Sequence, residues 1–182
     1  MWNSQPVVAI FGSSQTIDGD EEYRQARVLG RLLARAGFVV CNGGYGGSME
    51  ATSRGVSEAG GVSIGLTLGA FEKDEANPFV TREIKNATLF ERLANFVQLA
   101  EAFVVLKGGV GTLAEFSAIW NLMQTRALKR KPFILLGRSW PKLVENLRQG
   151  MEIRDKDLKL FHIVSTPEQA MEILKNHVRA KP

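Results

Sequence analysis

Short apolar runs alternate with stretches of helical spacing along the whole chain, and this alternation constrains the fold more than any other feature. Strands are predicted at residues 7–11, 38–41, 62–68, 79–84, 103–106, 132–137 and 161–164. Helices are predicted at residues 21–36, 48–59, 87–100, 112–129 and 140–150, and from Pro167 onwards. The segment 69–78 is polar and is predicted to be irregular.

Nearly all-apolar strands that are separated by helices are typical of a parallel sheet covered on both faces. We therefore predict a doubly wound, mainly parallel Rossmann-type α/β sheet with helices on both faces. A chain of 182 residues has the size of one domain with its own core, so we expect residues 1–182 to form a single domain.

The composition is that of an ordinary globular protein, with 45% hydrophobic and 23% charged residues. No apolar run is long enough to span a bilayer, and the first residues lack the pattern of a secretory signal. We expect a cytoplasmic protein with no membrane partner. The single cysteine, Cys41, lies in an apolar run and is predicted to be a buried, unreactive thiol.

The net charge of +4 raises the question of a nucleic-acid partner, because Arg126, Lys129, Arg130 and Lys131 are close together. These residues fall at the end of the helix predicted from Thr112, where cations complement the helix dipole. No aromatic residues are interleaved with them and no nucleic-acid-binding motif is present, so we predict no nucleic-acid partner. A mildly positive protein also favours small phosphorylated ligands.

Three strand-to-helix turns have an unusual composition. They are GSS at 12–14, NGGYGGS at 42–48 and KGGVGT at 107–112. Ligands of doubly wound sheets bind beyond the carboxyl ends of the strands, so we expect these turns to share one cleft. The candidate substrate-binding residues are Gly12, Ser13, Ser14, Gly43, Gly44, Gly108, Gly109, Val110, Gly111 and Thr112.

The third turn has the properties of an anion site. Glycines permit positive φ and close approach of the backbone to a ligand, and the first N–H groups of a helix favour an anion. A phosphate is the expected ligand. The turn matches neither GxxxxGK[ST] nor GxGxxG with a following acidic residue, which argues against ATP hydrolysis and against a nicotinamide cofactor.

Glu115 allows two interpretations. In the first, Thr112 caps the helix and Glu115 reaches back to the Thr112 N–H, as in a capping box. In the second, the Glu115 carboxylate faces the sugar of a bound nucleotide and stabilises positive charge or positions water. The spacing alone does not separate these alternatives.

Residues 108–115 match the GGxGTxxE core of the Lonely Guy family, many of whose members have been mislabelled lysine decarboxylases. The chain also resembles this family in GSS, in the glycine-rich second turn that leads to a methionine, and in LFERL at 89–93. LFERL corresponds in position to the family's MxxRK motif, so Arg92 aligns with the family's catalytic arginine. Without this match, Arg92 would be interpreted as a solvated helix residue beside Glu91. The resemblance covers residues 6–137.

The resemblance implies a nucleoside 5′-monophosphate phosphoribohydrolase, which cleaves the N-glycosidic bond of AMP or N6-substituted AMP (a cytokinin riboside monophosphate) to give free base and ribose 5-phosphate. It implies that Arg92 and Glu115 are catalytic, that the glycine turn holds the phosphate, and that the protein is a homodimer. No metal or cofactor is expected. The chemistry agrees, since a carboxylate stabilises an oxocarbenium-like centre and an arginine can fix phosphate or carboxylate groups.

Three positions depart from the family pattern. Lys107 replaces the usual proline, Val110 the usual tyrosine, and Leu93 the lysine that follows the arginine. Lys107 either restores positive charge near the phosphate or points to solvent. The alternative function is a non-hydrolytic carrier of a nucleotide or molybdenum cofactor with the same fold. The presence of both Arg92 and Glu115 favours the enzyme, because a carrier requires neither.

Overall fold

A computed structural model describes Trp2, residues 4–69 and residues 76–178, so part of the predicted irregular segment 69–78 lies outside the described residues. The strands are β1 (Val7–Phe11), β2 (Val39–Asn42), β3 (Ser63–Leu68), β4 (Arg82–Asn86), β5 (Ala102–Val105), β6 (Phe133–Leu136) and β7 (His162–Val164). The helices are α1 (Glu21–Arg35), α2 (Ser48–Glu58), α3 (Leu89–Leu99), α4 (Val110–Gln124), α5 (Trp140–Gly150), α6 (Asp155–Leu158) and α7 (Pro167–His177).

The seven strands form one parallel sheet in the order β4-β3-β2-β1-β5-β6-β7. This arrangement confirms the predicted doubly wound, parallel α/β class. The chain runs outwards from β1 through β2 to β4, and it then crosses back to β5 on the other side of β1. The loops after β1 and β5 therefore separate at the centre of the sheet, which is where open α/β sheets bind ligands.

Two apolar layers cover the sheet because successive residues of a strand point to opposite faces. In β1, Val7, Ala9 and Phe11 join the layer that contains α3, α4 and α5, whereas Val8 and Ile10 join the layer that contains α1, α2 and α7. The first layer is rich in aromatic rings, and Phe116 of α4 lies against several of them. This packing fixes α4, the helix that follows the predicted phosphate turn.

Some predicted boundaries were wrong. The strand predicted at 79–84 is β4, displaced towards the carboxyl end, and its mostly exposed side chains give little apolar signal. The short α6 was not predicted. In α3, the large apolar side chains of Leu89 and Phe90 are 53% and 83% exposed.

The helix predicted at 112–129 spans Val110–Gln124. It ends there because the Thr125 hydroxyl bonds to the Asn121 carbonyl and Arg126 adopts a left-handed conformation with φ 64°. The basic cluster therefore lies beyond the helix, and the predicted interaction of these cations with its last turn was wrong. Arg130 instead donates to the Lys159 carbonyl at 2.6 Å, and Lys131 donates to the Ala100 carbonyl.

No helix in the described part of the chain combines the length and apolar character that are needed to cross a bilayer.

Helices α1 and α2 pack at very short distance through glycines. A Cβ atom at Gly30 would overlap the Thr52 carbonyl, and one at Gly55 would overlap the Arg27 carbonyl. Because both obstacles are backbone atoms, they cannot rotate away. These glycines hold α2 and the turn before it in place.

We expect Gly30→Ala to destabilise the protein by about 2–3 kcal/mol, because the added methyl group forces the two helices apart. For a chain of this size the melting temperature should fall by about 4–12 °C. Thermal unfolding followed by circular dichroism measures the effect. Gly150→Ala is the control, since nothing lies within 4 Å of its Cβ position. Equal melting temperatures for the two variants would contradict the close packing.

Candidate functional site

A cleft of about 600 Å³ lies at the centre of the sheet, between the loops that follow β1 and β5. All the predicted site residues except Gly43 and Gly44 line it. Arg92 and Glu115 reach the same cleft from α3 and α4. The structure therefore brings together residues from three separate parts of the sequence.

The turn 107–112 forms one wall of the cleft. Helix α4 begins at Val110 with the extended Gly109 as its N-cap, so the free N–H groups of its first turn belong to residues of the glycine motif. A Cβ atom at Gly109 or Gly111 would meet nothing within 4 Å, which leaves open space beside the backbone. None of Gly108, Gly109 and Gly111 has a positive φ, so the turn needs glycine for space and not for backbone conformation.

The loops 12–14 and 42–48 pack directly against each other. The backbone N–H and the hydroxyl of Ser48 both donate to the Ser13 carbonyl, at 2.8 and 3.1 Å. Gly47 has φ 68°, and a Cβ atom there would overlap the same carbonyl. The second glycine turn therefore supports the GSS loop that lines the cleft.

Arg92 is buried, with 8% of its surface exposed, so it is not a solvated residue of α3. Its Nε donates to the Leu66 carbonyl of β3 at 2.6 Å, and its guanidinium group lies over the rings of Tyr45 and Phe96 at 5.7 and 5.5 Å. Its neighbour Glu91 has a different task, because the Glu91 carboxylate accepts from the Ala87 N–H at 2.7 Å at the start of α3.

Gly43 and Gly44 lie behind the cleft. A Cβ atom at Gly43 would overlap the Arg92 guanidinium group, so this glycine provides the space in which the arginine lies. Gly44 has φ 80°, and its N–H donates to the Asn42 side chain at 2.8 Å. The Gly44 contact stabilises the second turn, and Gly43 leaves room for the Arg92 side chain.

The capping box predicted for Thr112 and Glu115 is not formed. The helix begins earlier than this interpretation required, because Gly109 takes the capping position, and Thr112 is the third residue of α4. The Thr112 side chain packs against Gly108 instead. Within residues 4–69 and 76–178, no hydrogen bond or ion pair holds the Glu115 carboxylate.

Burial raises the pKa of Glu115 to about 7, although the positive charge of Arg92 acts in the opposite direction. A carboxyl group with such a pKa can exchange a proton near neutral pH, as general acids and bases do. The buried guanidinium and this partly buried carboxyl are thus electrostatically coupled across the cleft.

Two further residues of the turns that were expected to share the cleft, Tyr45 and Lys107, also line it. Four other lining residues were not predicted, namely Gln15, Thr16, Asp20 and Met49. Tyr45 and Met49 belong to the second turn and its helix, whose composition already signalled this region. Thr16 and Asp20 carry no motif that distinguishes them from ordinary loop residues.

The Cys41 thiol is fully buried in β2, as predicted, and burial raises its pKa. Among the described residues, no three His, Cys, Asp or Glu side chains meet in a way that could hold a metal ion. The charged side chains that line the cleft are Arg92, Lys107, Asp20 and Glu115, and the N-terminus of α4 lies beside them.

Comparison with known sequences gives a consistent set of relatives. A family model described as "Possible lysine decarboxylase" matches residues 49–174. An uncharacterised protein of Archaeoglobus fulgidus is 30% identical over 71% of this chain and 83% of its own length. The cytokinin riboside 5′-monophosphate phosphoribohydrolase of Rhodococcoides fascians is 28% identical over 71% of this chain and 66% of its own.

The pyrimidine/purine nucleotide 5′-monophosphate nucleosidase of Escherichia coli K12 is 30% identical over 65% of this chain, but the match spans only 28% of that longer protein.

Solved structures share the fold. The molybdenum cofactor binding protein of Rippkaea orientalis has a TM-score of 0.76 at 24% identity, over 94% of this chain and 96% of the other. The molybdenum cofactor carrier protein of Chlamydomonas reinhardtii has a TM-score of 0.74 at 23% identity, over 94% and 97%. At these identities the likeness shows the fold alone. The family model, in contrast, covers most of the chain and includes Arg92 and the whole GGVGTLAE segment, and the chain therefore belongs to the Lonely Guy family.

Proposed function

We propose that this protein is a nucleoside 5′-monophosphate phosphoribohydrolase, which hydrolyses the N-glycosidic bond of AMP or an N6-substituted AMP. The observation that carries the proposal is the meeting of Arg92 and Glu115 in one cleft with the glycine turn. They are the two charged residues of the family's catalytic motifs, and neither is used to stabilise its own helix end.

The glycine turn is suited to the 5′-phosphate. The first N–H groups of α4 provide hydrogen-bond donors, and the helix dipole favours a negative charge at this end. Open space at Gly109 and Gly111 lets a phosphate oxygen approach the backbone. With the phosphate held there, the ribose extends into the cleft towards Glu115.

Glu115 would act on the reacting carbon of the ribose. As the bond from C1′ to the base nitrogen breaks, positive charge develops on the sugar ring, and an ionised carboxylate lowers the energy of that state. The same carboxylate can orient a water molecule and accept its proton as the oxygen bonds to C1′. The departing base takes up a proton, so the products are free base and ribose 5-phosphate.

Arg92 would fix the geometry of the bound nucleotide. Its Nε donates to the Leu66 carbonyl, which holds the guanidinium group in one orientation over the Tyr45 ring. The remaining N–H groups can donate to a phosphate or sugar oxygen. A rigid donor of this kind loses little conformational freedom when the ligand binds.

The second candidate is a non-hydrolytic carrier of a nucleotide or molybdenum cofactor. The shared fold of the two molybdenum cofactor proteins favours it. A carrier has no need of a carboxyl group held at an intermediate pKa beside a developing cation, which is the reason for preferring the enzyme. The two functions differ in whether free base is released.

We expect the purified protein to release adenine from AMP, and we expect Glu115→Gln to lower the rate by about a hundredfold or more. Glutamine keeps the size of the side chain but cannot carry the negative charge. Chromatography of free base across a panel of nucleoside monophosphates measures the reaction, with the melting temperature as the control for folding. Binding of AMP without release of base by the wild-type protein would support the carrier.

The rate should also depend on the ionisation of Glu115. Because its pKa is raised to about 7 and the ionised form is the active one, kcat/KM should rise as the pH increases from 6 to 8 and then level off. Residual activity of Glu115→Gln should lack this rise. A falling profile over the same range would indicate that the protonated carboxyl is required.

Stability provides an independent check of the same pKa. The folded protein keeps the Glu115 proton up to about pH 7, whereas the unfolded chain loses it near 4.5, so this group's stabilisation is lost as the pH rises between these values. The melting temperature of Glu115→Gln relative to wild type should therefore increase from pH 5 to pH 8.

We also propose that the protein is a homodimer, because large apolar side chains are exposed on the first turns of α3 and α4. Leu89, Phe90, Val110 and Leu113 are 53%, 83%, 85% and 44% exposed. Both helices cover the same face of the sheet, and exposed apolar groups of this size mark interaction surfaces. A second copy of the chain would bury them.

Light scattering after size-exclusion chromatography should give twice the chain mass for the wild type. Phe90→Ser with Leu113→Ser should shift the protein to the monomer, because the contact loses its apolar area. Ile17→Ser is the control, since Ile17 is 68% exposed on the loop after β1 and belongs to neither helix. A monomeric wild type would contradict the proposal.

A further inference from the structure

Lys107 stands at the boundary between two cavities. It directly precedes the glycine turn and lines the main cleft, and it also lines a second cavity of about 370 Å³ beside α1 and the end of β6. Its Nζ lies 3.0 Å from the Glu22 carboxylate in the first turn of α1. Glu22 lines the second cavity and not the cleft, so the ion pair draws the ammonium group away from the phosphate turn.

The ion pair between Lys107 and Glu22 costs little free energy to break. The hydrogen bond from Lys107 lowers the pKa of Glu22. The two side chains are 60% and 36% exposed, and ion pairs of such exposure add little to stability. The lysine side chain is long and flexible, so its ammonium group can reach either side of its own backbone.

A phosphate at the glycine turn would compete with Glu22 for this ammonium group. The phosphate monoester carries up to two negative charges and three acceptor oxygens, whereas the Glu22 carboxylate carries one charge and is 36% exposed. Asp20, which also lines the cleft, already accepts from the Ile17 N–H at 3.0 Å. Neighbouring Glu21 is engaged by Arg24 and Gln25, so neither of these acids takes the place of Glu22.

We propose that Lys107 is a phosphate-binding residue whose ammonium group is paired with Glu22 when no ligand is bound. On binding of a nucleoside 5′-monophosphate, the ammonium group leaves Glu22 and contacts a phosphate oxygen. Lys107 thereby sets the preference for phosphorylated over unphosphorylated nucleosides, and Glu22 weakens that preference by competing. This inference rests on the proposed function for the identity of the ligand.

The test is a double-mutant cycle in which the affinities for AMP and adenosine are measured by isothermal titration calorimetry, with every variant also made in the slow Glu115→Gln background so that AMP is not consumed during the titration. Lys107→Met removes the charge and keeps most of the side-chain length. Glu22→Gln removes the competing charge. Lys142→Met and Glu21→Gln are the controls, because they make the same changes in net charge on exposed residues that do not line the cleft.

Lys107→Met should raise the Kd of AMP about tenfold and leave that of adenosine unchanged, as expected for the loss of one charge-assisted hydrogen bond. Glu22→Gln should lower the Kd of AMP by up to about fivefold. That gain should disappear in the Lys107→Met background, and both controls should match the wild type.

Three results would overturn the inference. They are an unchanged Kd of AMP in Lys107→Met, an equal loss of affinity for AMP and adenosine, or a gain from Glu22→Gln that persists without Lys107. Release of adenine is measured separately. A wild-type protein that binds AMP without releasing adenine contradicts the proposed hydrolysis, while the affinities still decide the role of Lys107.

Discussion

The cleft depends on the parallel pairing of β1 with β5. The chain leaves β1 for one half of the sheet and returns through β5 to the other, so the two loops diverge and leave a space between them. Fully buried side chains on both faces hold these two strands. This feature of the topology brings the phosphate turn close to the GSS loop. It also brings Arg92 and Glu115 to the same cleft.

The central part of the fold was predictable, and its edges were not. Both faces of β1, β2, β5 and β6 are buried, and these strands are apolar apart from Asn42 at the end of β2, so their apolar runs predicted them. β4 lies at an edge and exposes most of its side chains, so its pattern was weak and its position was displaced. α6 has only four residues, too few for a helical period to be visible.

The candidate site was predicted mainly through the family motifs, and local spacing misled in one case. Thr112 and Glu115 have the spacing of a capping box, yet α4 begins at Val110 with Gly109 as its N-cap, so Thr112 already lies inside the first turn. Arg92 could not be distinguished from a surface residue without the motif, since its burial depends on Gly43 and on the Leu66 carbonyl, both distant in sequence. For Lys107 the sequence left open whether the side chain lies near the phosphate or points to solvent, and its contact with Glu22 on α1 was not predicted.

The first two turns of helix α4 present polar side chains to the cleft on one side and an apolar side chain to a separate groove on the other. Thr112 and Glu115 line the cleft, whereas Leu113 lies on the outer groove that runs along the helix towards Trp120. A rigid helix cannot move on one side alone. If the proposed dimer forms through the outer side and shifts α4, Thr112 and Glu115 move with it, and any resulting change in ligand affinity is matched by an equal change in the strength of the association. The apparent ligand affinity would then depend on the concentration of the protein itself.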